Sequence, residues 1–177
     1  MDKHKTLNLL SESRYRRYLK RCDGNHEAAL AYYAFNVRAA QTSYVVLEAG
    51  EILLRNQIHA HLTHLHDKPN WYDDWLTEKK YHSLHKKIRS AVRAIDRRKE
   101  PVNPDKVIAE LTLGFWVSMF NTEFEQMHWK QLRLIFRHIP KYQRKRKTVA
   151  ASLNKFRKFR NRIYHYEPIS FNLNILL

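Results

Sequence analysis

The sequence predicts an all-α fold, a helical bundle that forms one domain over residues 1–177. Only three glycines and five prolines interrupt the chain, too few for the tight turns that an all-β fold requires. Apolar residues recur at helical spacing through long stretches, and residues typical of helix ends separate these stretches. A chain of 177 residues is long enough to bury one substantial core.

The N-terminal part of the chain predicts a short helix followed by a long helical region. The short helix is expected to follow Ser11 and to run through Arg21, because the Asp-Gly-Asn run at 23–25 is a turn signal that ends it. The long region covers residues 26–66. We interpret it as two helices or one bent helix, with a break near residues 37–42 and the later part over 43–66.

The C-terminal part carries recognisable signals for helix ends. Asn103 and Pro104 are typical of an N-cap and the first helical residue, and Thr122 and Glu125 have the spacing of a capping box. Pro168 disfavours helix at the residue before it. The predicted helices in this part cover residues 77–98, 104–120, 122–138 and 148–166.

The chain is strongly basic, which points to a polyanionic partner. Its 33 Lys and Arg against 17 Asp and Glu give a formal net charge of +16. Such a charge either repels itself or is neutralised by a polyanion, and nucleic acid is the simplest one. A basic protein of the membrane surface would require a free amphipathic helix or a lipid anchor, and the sequence shows neither.

A cytoplasmic location without a membrane span is expected. The first eight residues are polar and lack the apolar core of a signal peptide, and no apolar run is long enough to cross a bilayer. Cys22 is the only cysteine, which rules out an intrachain disulfide and a cysteine-rich zinc site.

The last predicted helix has an apolar face and a polar face that carries chemistry. At helical spacing, one arc holds Val149, Leu153, Phe156, Phe159, Ile163 and Tyr166, which we expect to face the core. Asn161 and His165 are four residues apart and lie together on the polar side. Arg160 falls inside the apolar arc, where a guanidinium requires a partner.

The run from Arg160 to Ile169 resembles the Arg-x-x-x-x-His signature of HEPN ribonucleases as it occurs in abortive-infection (Abi) proteins. Three further stretches resemble the same family in the same order. Residues 51–58 resemble its first core helix, residues 70–73 the loop that follows, and residues 111–116 its apolar mid-chain helix. This family differs in usually continuing with more helix after the Pro-Ile pair.

The resemblance implies a HEPN-like bundle, with extra N-terminal helices in this chain, that cleaves RNA without a metal ion or another cofactor. The ribose 2′-hydroxyl would attack the adjacent phosphate and leave a 2′,3′-cyclic phosphate and a 5′-hydroxyl. His165 would exchange protons, Arg160 or Arg162 would stabilise charge on the phosphorane, and Asn161 would orient the imidazole or the phosphate. The family's sites are commonly composite, which implies a homodimer. A role in phage defence or as a toxin follows, with an antitoxin of protein or small RNA as a further partner.

A set of basic side chains is expected to bind the RNA backbone, although a solvated basic loop is the alternative. The set comprises Lys141, Arg144, Lys145, Arg146, Lys147, Lys155, Arg157 and Lys158. Trp71, Tyr72 and Trp75 fit either base stacking or, more commonly, core packing.

Two patterns in residues 51–66 have competing interpretations. Arg55 and His61 repeat the spacing of the motif, and Asn56 follows the arginine, so spacing alone does not separate them from Arg160 and His165. The resemblance assigns chemistry to the later pair and leaves Arg55 and Asn56 as supporting residues. Four histidines lie at 59, 61, 64 and 66, but no nearby acidic or cysteine ligand completes a convincing set with them, so no metal site is predicted.

Glu51 is a second misplaced charge. It lies at the centre of an apolar stripe that runs from Tyr44 to Leu65. Two opposite charges, each on an apolar face, are reconciled if Glu51 pairs with Arg160 or Arg162. We therefore expect Glu51 to support the site by fixing a guanidinium. The alternative to the enzyme is a non-catalytic HEPN-type module that binds RNA or protein and uses Arg160 structurally.

Overall fold

The structure is a computed structural model that describes residues 12–76 and 78–169. All regular secondary structure within these residues is helical, and none of them belongs to a β-strand. The all-α prediction is therefore confirmed. Within the same residues, no helix combines the length and the apolarity needed to cross a bilayer.

The chain divides into two compact units. The first comprises Met1–Leu47 and Phe159–Leu177, and the second comprises Glu48–Lys158. Each unit has a hydrophobic cluster of its own. All four tryptophans, at positions 71, 75, 116 and 129, belong to the second unit.

From residue 12 onward, the first unit contains helix α1 (Glu12–Arg21) and the start of helix α2 (His26–His66). The turn predicted at 23–25 is present: Asp23 and Gly24 have φ angles of 49° and 82°, and the Asn25 side chain accepts a hydrogen bond from the Ala28 N–H at 3.1 Å. Tyr15 and Tyr18 are buried in the small core of this unit. Ser11, which was expected to precede this helix, lies outside the described residues.

Helix α2 is continuous over 41 residues, so of the two interpretations the single helix is present and the separate helix over 43–66 is wrong. The Thr42 and Ser43 hydroxyls donate hydrogen bonds to the carbonyls of Arg38 and Ala39, at 2.9 and 2.8 Å. Hydroxyl side chains at these positions bond back to the preceding turn of the helix, so they are accommodated without interrupting it.

The second unit contains the main core. After α2, a 3₁₀ turn (Trp71–Trp75) buries Trp71, Tyr72 and Trp75, which confirms core packing over base stacking for these rings. A second 3₁₀ turn (Lys79–Tyr81) leads into helix α3 (His82–Arg97), which begins later than predicted. Thr77, the predicted start, lies outside the described residues.

The predicted helix over 104–120 is two helices, α4 (Pro104–Glu110) and α5 (Leu113–Ser118). Its start is confirmed, because the Asn103 side chain accepts a hydrogen bond from the Lys106 N–H at 3.0 Å and Pro104 follows. The chain breaks at Leu111 and Thr112. The Leu111 carbonyl accepts a hydrogen bond from the indole N–H of buried Trp116 at 3.2 Å, so the break satisfies a polar atom of the core.

Residues 122–138 are an irregular succession of short turns instead of the single predicted helix. They contain a 3₁₀ turn (Thr122–Phe124), a π-helical turn (Glu125–Trp129), the short helix α6 (Lys130–Leu132) and another 3₁₀ turn (Arg133–Phe136). The capping box is wrong, because Asn121 is the N-cap residue and Glu125 forms an ion pair with Arg146 at 2.8 Å.

Helix α7 (Arg146–Tyr164) begins and ends two residues earlier than predicted. Arg146 and Lys147 therefore belong to the helix and not to a basic loop. Val149 and Ile163 are buried as expected, but Tyr166 is 74% exposed. That part of the prediction is wrong because the helix ends at Tyr164 and Tyr166 has a left-handed φ of 54°. Residues 170–177 lie outside the described part.

Candidate functional site

The end of helix α7 is held by two backbone hydrogen bonds of the Schellman type. The Tyr166 N–H donates to the Ile163 carbonyl at 3.0 Å, and the Glu167 N–H donates to the Arg162 carbonyl at 2.8 Å. Tyr166 occupies the left-handed position that glycine usually takes. His165 immediately precedes this residue, so the cap fixes the backbone from which its exposed imidazole projects.

His165 lines a polar concavity of about 220 Å³ in the first unit. Arg14 and Arg17 of helix α1 line the same concavity. Its remaining lining residues are Ser13, Tyr166, Glu167 and Pro168. The structure therefore brings an imidazole and two guanidiniums to one small cavity, which is a suitable environment for a phosphate group.

The two arginines of this concavity are available to an anion. Arg14 lies over the Tyr166 ring, with its guanidinium carbon 5.9 Å from the ring centroid. Within the described part of the chain, neither Arg14 nor Arg17 forms an ion pair, whereas neighbouring Arg16 pairs with Glu12 at 2.6 Å. Two unneutralised guanidiniums next to one carboxylate, Glu167, give the cavity a net positive charge.

The sequence analysis missed Arg14 and Arg17. Their spacing of three residues places them on one face of a helix, which was a usable signal. Nothing in the sequence places this face beside His165, which is about 150 residues away along the chain.

The other two predicted catalytic residues lie on the last turns of α7 but do not line the concavity. Arg160 is half-buried, and its guanidinium carbon lies 3.8 Å from the centroid of the Tyr164 ring. Tyr164 in turn stacks on Tyr44, with ring centroids 4.8 Å apart. Asn161 is exposed, and its backbone carbonyl accepts a hydrogen bond from the backbone N–H of His165 at 2.9 Å.

Arg162 forms an ion pair within the first unit, with its Nε 3.4 Å from a carboxylate oxygen of Glu167. This contact orients a carboxylate that lines the concavity. Glu51 is half-buried and belongs to the second unit. Its expected pairing with Arg160 or Arg162 stays a prediction.

The supporting residues on helix α2 lie in the second unit. Arg55 donates a long hydrogen bond of 3.5 Å to the Ala109 carbonyl, and Asn56 is exposed. The Arg55 contact joins α2 to the end of α4 at the surface of this unit, which is a structural role.

The predicted RNA-binding side chains divide into exposed lysines and partly buried arginines. The exposed lysines are Lys141, Lys145, Lys147, Lys155 and Lys158, and the partly buried arginines are Arg144, Arg146 and Arg157.

Two of these arginines have partners inside the protein. The Arg146 side chain is 13% exposed, pairs with Glu125 and donates a hydrogen bond to the Phe120 carbonyl at 3.0 Å. Arg157 donates to the Asn154 side-chain oxygen at 3.1 Å. The lysines are therefore the side chains of this set that are open to a polyanion.

Two histidines of the group at 59–66 have neighbours that define their roles. His59 accepts a hydrogen bond from the Trp71 indole N–H at 3.0 Å, and burial lowers its pKa. His66 lies 3.5 Å from Asp74. Among the residues that the structure describes, no three His, Cys, Asp or Glu side chains are arranged to hold a metal ion.

His128 is a buried histidine that the sequence analysis did not single out. Its ring packs against Trp75, Tyr81 and Phe124, with ring centroids 4.7, 5.4 and 5.8 Å away. Among the residues that the structure describes, its buried Nε2 atom has no hydrogen-bond partner. Burial in this aromatic cluster lowers its pKa to about 4, and the positive charges of His66 and Lys80 act in the same direction. We assign His128 to the core, where it is neutral.

The chain matches no family model, and comparison with curated proteins and with solved structures gives no significant match.

Proposed function

We propose that this chain is a metal-independent endoribonuclease of the HEPN type, with RNA as its substrate. The observation that supports this proposal is the concavity in which His165 lies with Arg14 and Arg17. RNA cleavage by the 2′-hydroxyl requires a proton-exchanging group and positive charge at one phosphate, and these three side chains supply both.

The residues of the concavity have distinct roles in this reaction. The arginines bind the scissile phosphate and stabilise the negative charge of the phosphorane. The imidazole of His165 accepts the 2′-hydroxyl proton or protonates the departing 5′-oxygen. The 2′-oxygen bonds to phosphorus as the bond to the 5′-oxygen breaks, which gives a 2′,3′-cyclic phosphate and a 5′-hydroxyl.

The exposed lysines of the second unit serve the same substrate through its backbone. The formal charge of +16 supports a polyanionic partner of this kind. In the same proposal the protein acts in the cytoplasm as a homodimer with a composite site. Its biological role is phage defence or abortive infection as a toxin, held in check by an antitoxin.

A second candidate function is a non-catalytic module of the same fold that binds RNA or a protein. The position of Arg160 favours it, because the guanidinium packs over Tyr164 and is not among the residues that line the His165 concavity. Arg160 then has a structural role, and the concavity binds a phosphate without cleaving the chain.

Cleavage of a single-stranded RNA in EDTA tests the proposal. His165→Ala should lower the cleavage rate by about 10²- to 10⁴-fold and retain RNA binding, because it removes the proton-exchanging group and leaves the arginines. His138→Ala is the matched control, since His138 is an exposed histidine of the second unit and should leave the rate unchanged. The wild-type products should carry 2′,3′-cyclic phosphate ends.

Two outcomes would contradict the nuclease. Cleavage by His165→Ala at the wild-type rate would show that the imidazole has no part in the chemistry. RNA binding without cleavage by the wild-type chain would favour the non-catalytic module.

A further inference from the structure

A second cavity of about 420 Å³ lies in the first unit, beside the His165 concavity. One wall is a single face of helix α2 and includes Tyr33, Val37, Ala40 and Tyr44. Tyr166 forms part of the opposite wall. The lining is mainly apolar and aromatic, and the volume falls within the range of small-molecule sites.

The walls of this cavity are held in place by contacts behind them. Tyr33 packs edge-on against buried Tyr18, with ring centroids 5.3 Å apart, and Tyr44 stacks on Tyr164. Asn36, which also lines the cavity, is 4% exposed and accepts a hydrogen bond from the Ile169 N–H at 2.7 Å. Aromatic rings fixed in this way form a preorganised surface for a flat ligand.

The cavity shares two of its lining residues, Tyr166 and Glu167, with the basic concavity. A phosphate at Arg14, Arg17 and His165 therefore lies next to the aromatic cavity. A nucleotide has this division of chemistry, with a charged phosphate joined to a flat aromatic base.

We infer that the aromatic cavity holds the base of the nucleotide whose phosphate binds at His165, and this inference rests on the proposed function. The tyrosines stack against the base, and Gln41 and Glu167, which also line the cavity, present hydrogen-bonding groups to its edge. A base inside the cavity cannot be paired with another strand. The preferred substrate is therefore single-stranded RNA, with its base selectivity set by this cavity.

The test compares the binding of two short single-stranded RNA oligonucleotides of equal length and charge, one with bases throughout and one abasic at a central nucleotide. Fluorescence anisotropy at constant salt measures both dissociation constants. The wild-type chain should bind the complete oligonucleotide about tenfold more tightly, which is within the range of one base stacked on an aromatic ring.

Two kinds of variant separate the contribution of the base to the affinity from the contribution of the phosphate. Ala40→Trp fills the cavity and should remove the tenfold difference while leaving the affinity for the abasic oligonucleotide unchanged. Val37→Trp fills it from a neighbouring position and serves if Ala40→Trp fails to fold, as judged by circular dichroism. The double substitution Arg14→Ala and Arg17→Ala should weaken the binding of both oligonucleotides equally, because both oligonucleotides retain their phosphates.

The inference is overturned if the wild-type chain binds both oligonucleotides equally or binds neither. It is also overturned if a folded cavity-filling variant weakens both to the same extent. Its outcome is distinguishable from that of the nuclease proposal, because binding is measured without cleavage. Base-dependent binding without cleavage rejects the nuclease and supports the cavity, and cleavage without base-dependent binding does the reverse.

Discussion

Acidification should destabilise the second unit through His128. The pKa of this imidazole is about 4 in the folded chain, against an ordinary value of 6.5. Because the folded chain holds this proton less tightly, the unfolded chain binds more protons between these two values. The stabilisation by neutral His128 is therefore fully present at pH values above its ordinary pKa of 6.5. It is lost as the pH falls toward the pKa of about 4 that His128 has in the folded chain.

The magnitude follows from the two pKa values. The protonation term of each state is one plus the ratio of protonated to neutral imidazole in that state. At about pH 5 this term is about 30 times larger in the unfolded state than in the folded state, and RT ln 30 is about 2 kcal/mol. At about pH 7.5 the same free-energy contribution is close to zero. The free energy of unfolding should thus fall by about 2 kcal/mol between these conditions through His128 alone.

Urea denaturation followed by far-UV circular dichroism at the two pH values measures this loss. His128→Phe keeps an aromatic ring in the cluster and removes the titrating group, so the pH-dependent loss should be about 2 kcal/mol smaller than in the wild-type chain. The exposed His138 provides the matched control, and His138→Gln should retain the wild-type pH dependence. Comparing pH-dependent losses cancels the contributions of His59, His61 and His85, whose pKa values are also lowered by burial.

A loss of stability by His128→Phe between the two pH values as large as that of the wild-type chain would refute the role of His128 in the pH dependence. An NMR titration that placed the His128 imidazole near its ordinary pKa would refute it independently, because burial would then not be lowering that pKa.

Two further predictions concern stability. Arg146→Ala should lower the free energy of unfolding by about 1 to 3 kcal/mol, because it leaves the Phe120 carbonyl and Glu125 without their partner. Urea denaturation of this variant and of Lys147→Ala, a control at an exposed position, measures the effect. Equal effects of the two substitutions would contradict a structural role for Arg146. Tyr166→Gly should be more stable than Tyr166→Ala by about 1 kcal/mol, because both remove the ring and only glycine adopts the left-handed φ of 54° without strain. Equal melting temperatures for these two variants would show that this backbone conformation does not strain the residue.

Local signals in the sequence predicted part of the fold correctly. The Asn103 and Pro104 start of α4 and the turn at 23–25 are specified by residues within a few positions of each other, and both are confirmed. The two-residue break at Leu111 and Thr112 was not predicted, because it depends on a hydrogen bond from the buried Trp116 indole N–H to the Leu111 carbonyl. The capping box failed for a similar reason, since Glu125 is used by Arg146, a residue 21 positions away.

Only the part of the candidate site that α7 contributes could be predicted from the sequence. The helix that ends near His165 could be placed from Pro168 and the apolar spacing of α7. The arginines that share its concavity come from α1, and no local pattern connects the two ends of the chain. The left-handed Tyr166, which shapes the end of α7, also had no signal in the sequence, because glycine or asparagine is the usual residue there.

The placement of all four tryptophans in the second unit gives the protein a built-in spectroscopic separation. Selective excitation of indole reports on the residues around Trp71, Trp75, Trp116 and Trp129 and does not report on the tyrosine cluster of the first unit. Tyrosine emission excited at shorter wavelength adds the first unit, where Tyr15, Tyr18, Tyr32 and Tyr33 are grouped. A single denaturant titration read in both channels therefore compares the second unit with the whole chain without any label, and coincident transitions would identify the two units as one cooperative domain.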